Sequence, residues 1–266
     1  MTRLKFLPLL LLFASCEGQT QEQKQQPPAA DTGIAKKETP QLPEAISSYI
    51  AQNPDDGKPS QSAGTVSNGK LINGKLMPYR GENFSYFDQE SYLNSRAFVN
   101  GKVKLAVLET YSALQKEFPG RKFVIMECSN KHGGPIFPHR THQNGLSIDF
   151  MVPLLKDGKP YYGLDSLGAS HYGLDFDAEG KYTEDKSISI DFELAARHML
   201  LLEKELRRQG LKIGKVILKL ELKDELFATA SGKELKKLGI YFAQNLDVLI
   251  NSLHDDHYHI DFEKVK

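Results

Sequence analysis

Cysteine is scarce, tryptophan is absent and neither sign of charge is in excess: the 266-residue chain has two Cys, no Trp, and 34 Lys plus Arg against 34 Asp plus Glu. The charge balance excludes a protein that grips nucleic acid by electrostatics, since such binders carry a basic excess. Two cysteines permit at most one disulfide, so the core has to form without a disulfide framework. Neither Cys16 nor Cys128 has a partner at zinc-finger spacing, which excludes a cysteine-based structural metal site. The apolar run from Phe6 to Ala14 is too short to span a bilayer as a helix. What remains is an ordinary globular composition, 40% hydrophobic and 26% charged. It suits one domain of about 150 to 250 residues with appendages.

Residues 1–16 read MTRLKFLPLLLLFASC, with Arg3 and Lys5 as a positive n-region before the apolar run. Ala14-Ser15-Cys16 resembles the bacterial lipobox, with Phe13 where leucine is usual. In that motif the leader is removed and the cysteine becomes a lipidated N-terminus. The alternative is a plain secretory signal that contains a cysteine, and both readings export the chain. The expectation is therefore a signal peptide over residues 1–15 and a periplasmic lipoprotein anchored to a membrane through lipid on Cys16. Loss of the leader takes two positive charges with it and leaves a net charge of −2. Residues 16–59 are rich in Gln, Pro, Ala, Lys and Glu and poor in large apolar side chains. Such a stretch buries too little surface to offset its chain entropy and reads as a disordered tether, with a short helix around residues 44–52. The folded domain is expected over residues 60–266.

Within that domain, Asn-Gly and Gly turns around Ser67 to Gly74 suggest a hairpin-like opening. Residues 100–118 place Val103, Val107, Leu108, Tyr111 and Leu114 at helical spacing, ended by Pro119-Gly120. A strand is expected over 122–126, and a second helix over 191–208, capped by Ser189 or Asp191 and stopped by Gly210. Residues 215–220 read as a strand, 233–250 contain further helix, and 257–262 form a terminal strand. The fold class is α+β, a small mostly antiparallel sheet with flanking helices.

Six of the eight histidines fall in or beside two short windows. His139 and His142 lie in PHRTHQNGLSIDF, with His132 just upstream, and His254, His257 and His259 lie in HDDHYHIDF. If residues 146–152 are extended, Leu146, Ile148, Phe150 and Val152 share one face and Ser147, Asp149 and Met151 the other. In the last strand, Tyr258, Ile260 and Phe262 line one face and His257, His259 and Asp261 the opposite one. Each strand thus offers an apolar face to a core and a polar face to a site. The Asn144-Gly145 turn can fold His142 back toward Asp149. His142, Asp149 and His259 would make a three-ligand Zn2+ set with one open position, the pattern of catalytic zinc, and the chemistry that follows is metal-assisted hydrolysis. His132, His171 and His198 read as loop or structural histidines, and Cys128 as a buried thiol. Arg140, Gln143 and Asn144 are explained by loop polarity.

These residues resemble the penicillin-insensitive murein endopeptidases, zinc peptidases of the lysostaphin, D-Ala-D-Ala metallopeptidase and hedgehog fold group. The resemblance rests on Gly133-Gly134, on His139-x-x-His142-Gln143-x-Gly145-Leu146-x-x-Asp149, and on His254-x-x-His257-x-His259. It spans about residues 60–262. Thr141 and Ser147 stand where the family often has Ser and Asp. The resemblance implies a hedgehog / D-Ala-D-Ala metallopeptidase-like fold and hydrolysis of peptide cross-links of the D-alanyl-diaminopimelyl type in peptidoglycan. It also implies zinc on His142, Asp149 and His259, with His257 near the attacked group and His254 and His139 supporting or handling protons. The general base stays open among these, and Asp255 or Asp256 would orient an imidazole. Other readings of the same residues are a D,D- or L,D-carboxypeptidase and a non-catalytic zinc-containing envelope binding protein.

Overall fold

The structure, a computed structural model, describes residues 41–265. The leader, Cys16 and the first part of the expected tether lie outside the described residues. Among the described residues, no helix is long and apolar enough to cross a membrane. Leu42–Lys266 form one compact unit.

In chain order the elements are α1 (Glu44–Gln52), β1 (Gln61–Thr65), β2 (Asn68–Ile72), β3 (Lys75–Leu76), β4 (Phe84–Tyr86), α2 (Gln89–Leu93), β5 (Phe98–Val99), α3 (Gly101–Glu117) and β6 (Phe123–Ile125). There follow β7 (Ser147–Met151), β8 (Leu154–Lys156), β9 (Lys159–Tyr161), β10 (Ile188–Ile190), α4 (Phe192–Arg208), β11 (Leu211–Ile217), α5 (Lys223–Ala228), α6 (Ala230–Lys237), α7 (Val248–Ser252) and β12 (His257–Lys264). The central sheet has five strands in the order β11-β12-β7-β6-β4. Its pairs are antiparallel except β4 with β6. The expected α+β class, with small sheets and flanking helices, is what the chain adopts.

The two long helices form where the apolar spacing and caps place them. Asn100 Oδ1 accepts from Lys102 N at 3.0 Å to open α3, and Asp191 Oδ1 accepts from Leu194 N at 3.1 Å to open α4. Each such cap is worth about 1 kcal/mol. Val103, Val107, Tyr111 and Leu114 of α3 and Leu194, Met199, Leu202 and Leu206 of α4 are buried. The two helices pack on each other, and α4 packs on β11. The apolar faces of β7 and β12, with Ile148, Phe150, Tyr258, Ile260 and Phe262, are buried in the same core.

Three elements depart from the sequence expectation. Residues 44–52 are helical as expected, but α1 belongs to the compact unit: Ile46 is fully buried and the Tyr49 ring meets Tyr92 edge-on at 5.7 Å. One isoleucine and one tyrosine are too sparse a stripe to read as core. The strand expected over 215–220 begins earlier, at Leu211, and ends at Ile217, because a bulge between Ile213 and Lys215 lets it follow β12. The helix expected within 233–250 is two pieces, since Gly239 at φ +67° ends α6 and α7 starts anew on its Asp247 cap.

His198 proves structural. It is buried on α4, its Nδ1 shares a 2.8 Å hydrogen bond with Tyr258 Oη, and burial pushes its pKa down to about 3. The unfolded chain takes up a proton near the ordinary value of about 6.5 that the folded chain refuses. Its contribution to stability is therefore complete above that value and declines as pH falls toward 3. The loss amounts to roughly 2 kcal/mol by about pH 5. His198→Gln is expected to flatten the acid side of the stability curve, measured as urea midpoints between about pH 7 and 4.5. An unchanged slope would contradict this assignment.

Candidate metal centre

The site begins with register. On the paired strands β7 and β12, Asp149 lies opposite His259, Met151 opposite His257 and Ser147 opposite Asp261. Alternation across a strand then puts these residues on the face away from the Ile148, Phe150 and Tyr258 layer. All of them are buried nonetheless, because loops cover this second face.

His142 comes from the loop before β7, held at φ +65°, a left-handed conformation that a non-glycine residue adopts at a cost. Two glycines let the loop close. A Cβ on Gly145, at φ +77°, would stand 2.8 Å from Asn100 N, and one on Gly133, at φ +70°, would stand 2.2 Å from Gln143 O. The Gly133-Gly134 segment thus packs directly against the residue after His142.

His139, His142 and Asp149 each offer one ligand atom within 4.8 Å of the others, a group able to hold a metal ion. A second, tighter trio shares His142 and Asp149 and takes His259 in place of His139. In it, His142 Nε2 is 3.0 Å from His259 Nδ1, His259 Nδ1 is 2.8 Å from Asp149 Oδ1, and His142 Nε2 is 3.3 Å from that same oxygen. Donors about 2.0 to 2.2 Å from a tetrahedral zinc stand about 3.3 to 3.6 Å apart, so the His142–Asp149 pair already fits and the two pairs that include His259 need to open by about 0.3 to 0.8 Å. His139 is the looser member of the first trio, with Nδ1 3.7 Å from Asp149 Oδ2 and Nε2 already bonded to Glu127.

The surrounding groups aim the trio inward. Asp261 Oδ1 lies 2.7 Å from His259 Nε2 and accepts from Ser147 Oγ at 2.7 Å, while Oδ2 of the same carboxylate is held by Lys215 Nζ at 2.7 Å. With Nε2–H given to Asp261, Nδ1 is the atom His259 presents to the site. Burial alone would lower the His259 pKa, but the Asp261 and Asp149 carboxylates outweigh it and push it up to about 9. Burial would raise Asp149, yet His142 and His259 hold it well below the usual carboxylate range. For His142 burial wins and its pKa falls. Asp149 Oδ2 and His142 Nδ1 are buried without a hydrogen-bond partner. An orphaned buried acceptor costs about 1 to 3 kcal/mol, which a cation beside the carboxylate would offset.

Two carboxylate–histidine pairs flank the trio. On one side the buried Glu127 bonds His139 Nε2, and is fixed in turn by Arg96 at 2.8 Å and Ser91 at 3.1 Å. On the other, Asp256 Oδ1 lies 2.5 Å from His257 Nδ1. Burial would lower His257, and Asp256 outweighs it to raise the pKa. Asp255 instead turns away to Lys219 at 2.9 Å and Phe176 N at 3.1 Å. The His254 ring lies 4.7 Å from that of His257, tilted by 37°, its Nδ1 is 2.6 Å from the Ile250 carbonyl, and burial pushes its pKa down to about 3.

The five histidines and the aspartate predicted as site residues are thus brought together. Glu127, His171 and Tyr172 join them without having been assigned a part. His171, expected to be a loop residue, is fully buried, with Nε2 3.2 Å from the Asp256 carbonyl. The Tyr172 ring meets His257 edge-on at 5.2 Å and lies 6.5 Å from His139, while its Oη is buried without a partner. Other readings hold as made: His132 is exposed, Cys128 is a buried free thiol, and Asn144 Oδ1 caps its own turn through Leu146 N at 3.2 Å. Arg140 is paired with Asp247 at 2.9 Å. A scan against protein-family models and a search of curated proteins gave no match to the chain.

Proposed function

We propose that the chain is a zinc-dependent murein endopeptidase of the penicillin-insensitive type, with a hedgehog / D-Ala-D-Ala metallopeptidase-like fold. It would hydrolyse D-alanyl-diaminopimelyl cross-links in peptidoglycan from a lipid anchor on Cys16. The observation that carries this reading is one buried sheet face bearing Asp149 and His259, with His142 brought onto it by the preceding loop as their mutual neighbour, flanked by two histidines that carboxylates orient. Those three would hold the metal through Nε2, Oδ1 and Nδ1. When bound, zinc supplies Lewis-acid polarisation of a carbonyl and an acidified water.

The chain's own residues supply the proton handling. The Ile250 carbonyl can only accept, so His254 carries its proton on Nδ1 and keeps a lone pair on Nε2. With its pKa at about 3 this imidazole stays neutral, so Nε2 is fitted to accept a hydrogen bond from water and aim it rather than to keep its proton. His257, raised in pKa and fixed through Nδ1 by Asp256, is fitted to donate from Nε2 to a carbonyl oxygen that gains negative charge. The Tyr172 hydroxyl, close by and without a partner, is a second donor to the same oxygen.

The full chain incubated with cross-linked sacculi is expected to release monomeric muropeptides, to stop on addition of chelator and to recover with zinc. Products that have lost only terminal residues, read by mass spectrometry, would mark a carboxypeptidase instead. Sacculi left intact by the zinc-loaded chain would refute the reading.

A further inference from the structure

Away from the metal centre, a cleft of about 570 Å³ lies between the segment that follows α1 and the edge formed by β2 and β3. Its polar lining is unbalanced. Lys70, Lys75, Lys104 and Lys131 face only Asp55 and Asp56, an excess of two positive charges before His132 is considered. Both aspartates are already committed to one ammonium: the buried Lys75 Nζ lies 2.5 Å from Asp55 and 2.9 Å from Asp56. Lys131 donates to Asn53 Oδ1 at 2.8 Å and stands 5.9 Å over the Phe98 ring, with no carboxylate paired to it among the described residues. Lys104 is half-buried and Lys70 exposed, and neither ammonium has a hydrogen bond or ion pair among the described residues. Desolvation lowers the Lys104 pKa; the Asp55 carboxylate across the cleft opposes the fall without cancelling it, and Lys75 adds to it. Leu71, Leu76 and Phe98 give the same cleft an apolar floor.

We propose that this cleft binds a carboxylate-bearing peptide, its carboxylates on Lys70, Lys104 and Lys131 and its aliphatic parts on the floor. Lysine point charges beside apolar surface suit flexible carboxylates. No arginine fork, the usual device for bidentate phosphate recognition, lines the cleft. The volume falls in the range of small-ligand sites, about 300 to 1,000 Å³. The cleft shares a loop with the metal centre. Leu71 N donates to His132 O at 3.0 Å, and two residues on Gly134 N donates to Gln143 O at 2.9 Å, beside His142.

Equilibrium binding tests this without any need for turnover, so its outcome is separate from that of the endopeptidase reading. Fluorescein-labelled tri-glutamate peptide is expected to bind the full chain in a salt-sensitive manner, while the tri-glutamine counterpart does not. The Lys70→Gln, Lys104→Gln double variant should bind it about tenfold more weakly, the loss of two partly exposed ion pairs. Should the double variant fail to fold, exposed Lys70→Gln alone should still show a few-fold loss. Equal binding of both peptides, an unchanged affinity in the variants, or no binding by the wild type would overturn the proposal. Displacement by inorganic phosphate at matched concentration would also overturn it, by making the ligand a phosphate.

Discussion

His259→Ala is expected to yield a chain that no longer retains stoichiometric zinc and digests sacculi at least about a thousandfold more slowly, a loss of about 4 kcal/mol in transition-state stabilisation. His259 is the joint of the site: Nδ1 faces Asp149 and His142, and Nε2 is taken by Asp261. Removing the ring leaves His142 and Asp149, with only the looser His139, itself bonded to Glu127, to close the set. It also takes from the buried Asp149 carboxylate its closest hydrogen-bond partner, so some stability is lost as well. His259→Gln, which keeps more of the volume, separates the two effects. Elemental analysis, a circular dichroism melt and a timed muropeptide digest together check the prediction. Either variant digesting at the wild-type rate would remove His259 from the metal set.

Glu127→Ala is expected to cost about 3 kcal/mol of stability, because it strips the common acceptor from Arg96, Ser91 and His139 in a nearly closed pocket. For a domain of this size that corresponds to a fall in Tm of roughly 6 to 12 °C. Glu127→Gln keeps the shape and part of the hydrogen bonding but removes the charge that orients His139. It should melt closer to wild type and still turn over about a hundredfold more slowly, with zinc content unchanged, since the Glu127 side chain touches no member of the trio. A Gln variant with wild-type turnover would make Glu127 a structural residue only.

The contrast between His259 and Glu127 shows what can be read from residues alone. The two-residue period of a strand puts His257, His259 and Asp261 on one face whatever the rest of the chain does, and the same rule orients Asp149. Two faces of that kind with apolar backs are enough to suggest pairing. Glu127 carries no comparable mark. It follows the apolar strand β6 and precedes a cysteine, and its role exists only because a loop twelve residues later returns to it with His139. His171 and Tyr172 are hidden for a related reason, in a long connection whose 3-10 turn over Gly168–Gly173 has no periodic signal. The choice between Asp255 and Asp256 also needed coordinates. Adjacent residues at a strand entrance point to opposite sides, and only packing shows that Lys219 waits on one of them. At the other end of the unit, α1 was visible as a helix but not as core, since helix formation is local and docking is not.

The pairing of β7 with β12 has a kinetic consequence. Asp149 and His259 are 110 positions apart in the chain, and α4, β11 and three short helices lie between them. Closing a loop of that length is entropically slow, and contacts of such separation form late in folding. No collapsed intermediate that lacks this one strand pair contains a complete ligand set, so zinc retention should appear together with the last cooperative step of refolding and not before it. The proposed hydrolase would then stay inert as a partly folded chain and become competent only when the central sheet is complete.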